Sequence, residues 1–139
     1  MTHAATICDR LQRDEELPVL LDTAYAAFEV LLAAAEERQD PASGMFAQFV
    51  YAATAAANGR DAILFAPSLP VRPLRPADTG VNGWGSSSDV RDLATLSEVL
   101  CHVLSQAAAT VPGPEDQRAC RHAAQCAVEI HRLLTGAAP

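Results

Sequence analysis

The chain has 139 residues, among them 28 alanines, ten arginines and no lysine, with a formal net charge of −7. That length is one domain's worth of chain and enough to bury a sizeable core. The acidic balance, −6 up to Asp40 and −1 over the rest, argues against nonspecific binding to nucleic acid or to an anionic membrane, both of which need a basic footprint.

No apolar run approaches the ~18 residues of a membrane span, and the N-terminus lacks a basic region leading into an apolar stretch. A cytoplasmic protein with no membrane partner is the expectation. Cys8, Cys101, Cys120 and Cys126 have no CxxC spacing and read as thiols serving as small buried apolar side chains.

The first element is a short amphipathic helix over about Ala4 to Glu15, with Ile7, Cys8 and Leu11 at helical spacing. Pro18 suits the first turn of a second helix, which runs to about Arg38 with Leu17, Leu21, Ala24, Phe28, Leu31, Leu32 and Ala35 on its inner stripe. Asp40 and Pro41 read as N-cap and first residue of a third helix, with Met45, Phe46, Phe49, Ala53 and Ala56 inward. Asn58-Gly59 is a stop signal. Ile63 and Leu64 nevertheless keep the phase of Phe49 and Ala56, so the helix is expected to continue to Ala66 and stop at Pro67.

Pro67, Pro70, Pro73 and Pro76 recur every third residue, the period of a polyproline II helix rising ~3.1 Å per residue. From Pro67 to Ala77 such a segment spans ~34 Å, about one helix length. A polar, glycine-rich loop with Trp84 follows, and Ser86 with Asp89 resembles a capping box. The fourth helix then carries Leu93, Leu96, Leu100, Val103, Leu104, Ala107 and Val111. Pro112-Gly113-Pro114 breaks it, and a fifth helix with Ala119, Ala123, Cys126, Ile130 and Leu133 inward ends at Gly136. The expected fold is all-α, a single domain over residues 1–139 with four long helices and a short N-terminal one. Its order is up-down-down-up, with one long proline-rich crossover at 67–87.

Opposite Phe28 the second helix carries Val19, Ala26, Val30 and Ala33, and the third carries Ala47, Tyr51 and Thr54 on its outer side. Helices apolar all round are buried all round. A homodimer on Val19, Ala26, Val30, Ala33, Ala47 and Tyr51 is therefore expected.

Catalytic, metal and cofactor chemistry finds little footing. Glu98 and His102 point away from the leucine face as a solvated i,i+4 pair. Cys120, His122, Cys126 and His131 diverge around their helix, whereas zinc needs converging ligands. Ser86, Ser87 and Ser88 form no GxSxG elbow. Candidate contacts for a ligand or partner remain. Trp84 could close a pocket or plug the bundle end. Arg118, Arg121 and Arg132 share a flank of the fifth helix with Gln125, there to meet an acidic partner or anionic ligand or to pair with Glu29, Glu36 or Glu37, and His122 stands at a core edge. Arg72 and Arg75 belong to PxxPxR strings of the kind SH3-like grooves accept. The reading is a noncatalytic, dimeric interaction or regulatory bundle. The alternative is a bundle that binds, or acts on, a small apolar ligand in an inter-helix pocket near the Trp84 loop.

Overall fold

The computed structural model describes residues 3–12, 16–69 and 89–136. Over these the protein is all-α, with helices α1 (His3–Gln12), α2 (Leu17–Glu37), α3 (Phe46–Leu64), α4 (Val90–Thr110) and α5 (Pro114–Thr135), and no strand. Much of the proline segment, with Arg72, Arg75 and Trp84, lies outside the described residues, as do residues 13–15.

Each boundary has a local cause. Pro18 sits in the first turn of α2. At the other end the Arg38 guanidinium donates to the Ala34 carbonyl at 3.0 Å, satisfying one of the carbonyls a helix end leaves open. Asp40 does not start α3. Its carboxylate accepts from the Ala42 N–H at 3.0 Å and Ser43 Oγ accepts from the Met45 N–H at 3.1 Å, so two side chains close successive tight turns and the helix begins five residues later than expected, at Phe46. It also ends at Leu64, short of Ala66. Phe65, Ala66 and Leu69 then bond back three residues, to Ala62, Ile63 and Ala66.

Asn58-Gly59 does not stop the helix. A Cβ on Gly59 would lie 2.3 Å from Phe28 Cε1, so the glycine is there for the close approach of a buried ring. The cap of α4 is Asp89 itself, whose carboxylate accepts from the Asp92 N–H at 2.8 Å; Ser86 lies outside the described residues. Pro114 opens α5 and Gly136, at φ 66°, closes it in the left-handed region that glycine enters freely.

α3 packs on both α2 and α5, and α4 packs on α5. The fourth side is held differently, because α1 lies against α4 and α2, which touch each other only lightly. Ile7, Cys8 and Leu11 of α1 are buried there. The centre holds Phe28, Leu21, Ile63, Leu93, Leu96, Leu100, Leu104 and Ile130. Alanines around them, such as Ala24, Ala56, Ala123 and Ala127, allow the backbones to approach closely.

Since α2 touches three helices, its buried arc is wide enough to take in Val30, which is fully buried. That residue therefore leaves the expected outer face. Nor is α2 apolar all round. Asp22, Glu29 and Glu36, seven residues apart, line its outer side. By length and composition α2 is nonetheless apolar enough to cross a membrane, contrary to the sequence expectation. In the fold that apolar content is spent on the core, with Leu21, Ala24, Ala27, Phe28, Val30 and Leu31 all buried.

Candidate interaction surface

Among the described residues, four of the six large apolar side chains left open lie on α3 and its C-cap, the other two being Val19 of α2 and Val128 of α5. Phe65 is 81% exposed, Tyr51 62%, Leu64 53% and Phe46 37%. Val19 is 40% exposed and Val128 50%. Of the residues expected on a dimer face, Val19, Ala47 and Tyr51 are exposed, Ala26 and Ala33 are half-buried, and Val30 is buried. The Ile63-Leu64-Phe65 run was the signal for the open end of α3, since three consecutive helical residues span 200° and cannot all face one core.

Where α3 ends it meets the first turn of α5. The Ser68 N–H and Oγ–H donate to the two carboxylate oxygens of Asp116 at 3.1 and 2.6 Å. Asp116 is buried and stands in the first turn of α5. Beside this clamp, Ala62 and Phe65 of α3 and Glu115, Arg118, Ala119 and His122 of α5 border a groove of about 330 Å³.

The candidate arginines do not act together. Arg118 and His122 border that groove, whereas Arg121 borders another, of about 300 Å³, against Ser105, Ala108 and Ala109 of α4. Arg132 pairs with Glu129 one turn back. None turns to Glu29, Glu36 or Glu37, because α2 and α5 stand at opposite corners. Glu98 likewise leaves His102 aside and pairs with His131 of α5, Oε2 to Nε2 at 3.3 Å.

All four cysteines are free thiols. Burial first, then Asp9 and Asp92, pushes the Cys8 thiol from 9.0 up to about 11. Burial and then Asp116 do the same to Cys120, and burial raises Cys126. Such thiols are poor nucleophiles and poor metal ligands. Only Cys101 is half-open, in a shallow groove with Glu98, His102, Ser105, Val128 and His131. Among the described residues no three His, Cys, Asp or Glu side chains converge as a metal site would require.

A cleft of about 780 Å³ opens between the end of α1, the start of α2 and the end of α4. Leu11, Leu17, Leu20, Val103, Ala107 and Val111 line it, with Gln12, His102 and Gln106 as polar groups. Compared with protein-family models, curated proteins and solved structures, the chain matches none of them.

Proposed function

We propose that the protein is a noncatalytic, cytoplasmic helical-bundle module that works as a homodimer and serves protein interaction or regulation. The observation that carries this reading is the set of open apolar side chains on α3 and its C-cap, Phe46, Tyr51, Leu64 and Phe65. Large apolar patches on a small folded domain mark association surfaces, and two-fold dimers are the commonest assembly. Light scattering at micromolar concentration tests it, and a clean monomer would remove its main support.

The proposal includes the up-down-down-up order, in which α3 and α4 run parallel. The Ser68–Asp116 clamp supports this, since it joins the end of α3 to the start of α5, and the three-residue link 111–113 from α4 to α5 favours an antiparallel pair. Spin labels at residues 61 and 110 should then lie nearer one another than labels at 61 and 91. The reverse order of distances would contradict it.

A second reading rests on the 780 Å³ cleft, which has the apolar lining and few polar groups of a ligand pocket. It lies at the α1–α2 end, and its relation to Trp84 falls outside the described residues. A thermal-shift screen read by Trp fluorescence tests it, with silence across a metabolite library counting against it.

A further inference from the structure

We draw no further inference here: the strongest candidate, the cleft of about 780 Å³ between the end of α1, the start of α2 and the end of α4, already carries the second reading above, and with residues 13–15 beside it outside the described residues nothing in the structure shows what fills it.

Discussion

Gly59→Ala tests the contact on which the α2–α3 packing turns. A Cβ there would sit 2.3, 2.5 and 2.7 Å from Cε1, Cζ and Cδ1 of Phe28. To reach 3.4 Å, the lower limit of ordinary contact, the ring must retreat by about 1.1 Å. Phe28 is fully buried, so it cannot retreat without moving its neighbours. Overpacking of this kind costs about 1–3 kcal/mol, and contact with three ring atoms places it at the upper end. Alanine regains about 1 kcal/mol of helix propensity, leaving a net loss of about 2 kcal/mol. For a domain of this size that lowers the Tm by about 7 °C. The assay is thermal unfolding followed by circular dichroism, repeated in a Phe28→Leu background. There the ring is gone, and Gly59→Ala should become neutral or stabilising by up to about 1 kcal/mol. An unchanged or higher Tm for Gly59→Ala in the parent chain would refute the reasoning, because the glycine would then not be holding space for the ring.

The Asp116 clamp should be strong and asymmetric. Asp116→Ala removes both bonds from Ser68 and lowers stability by about 3 kcal/mol, whereas Ser68→Ala keeps the N–H bond and loses about 1.5 kcal/mol; equal urea midpoints for the two variants would contradict this. The raised thiols set an alkaline limit. A thiol ionises near 9.0 when unfolded and near 11 in folded Cys8 and Cys120, so their contribution is whole below pH 9 and is lost as pH rises toward 11. Urea midpoints should fall across that window, and less steeply in Cys120→Ala; identical slopes would refute the assignment. At pH 7.5 a maleimide should label one thiol per native chain, Cys101, and four after denaturation, and labelling of Cys120 in the native chain would contradict its burial.

The helices and their inward stripes were legible because the apolar period, Pro18, Pro114 and Gly136 act locally. Three features were not. Asn58-Gly59 has the chemistry of a stop, yet the glycine answers to a ring 31 positions earlier in the chain. Asp40-Pro41 has the chemistry of a helix start, but Ser43 and Gly44 complete a turn before the helix can propagate. Val30 reads as outward when α2 is set against one partner helix, whereas α2 packs against three and Val30 is fully buried. On the candidate surface Tyr51 and Ala47 were visible from their phase opposite the core. Phe65, the most open residue of the cluster, depended on where α3 ends. The separation of Arg118 from Arg121 depended on which helices stand on either side of α5.

The central claim is that α3 presents the surface on which two copies meet. Light scattering of the parent chain, Leu64→Asp and Val128→Asp at micromolar concentration tests it most directly. Leu64 is exposed at the end of α3, and Val128 is exposed on α5 beside α4. The account predicts twice the chain mass of 14.7 kDa for the parent and for Val128→Asp, and a single chain mass for Leu64→Asp with its helical signal intact. A parent of 14.7 kDa, or a Leu64→Asp variant that stays dimeric while Val128→Asp dissociates, would contradict it.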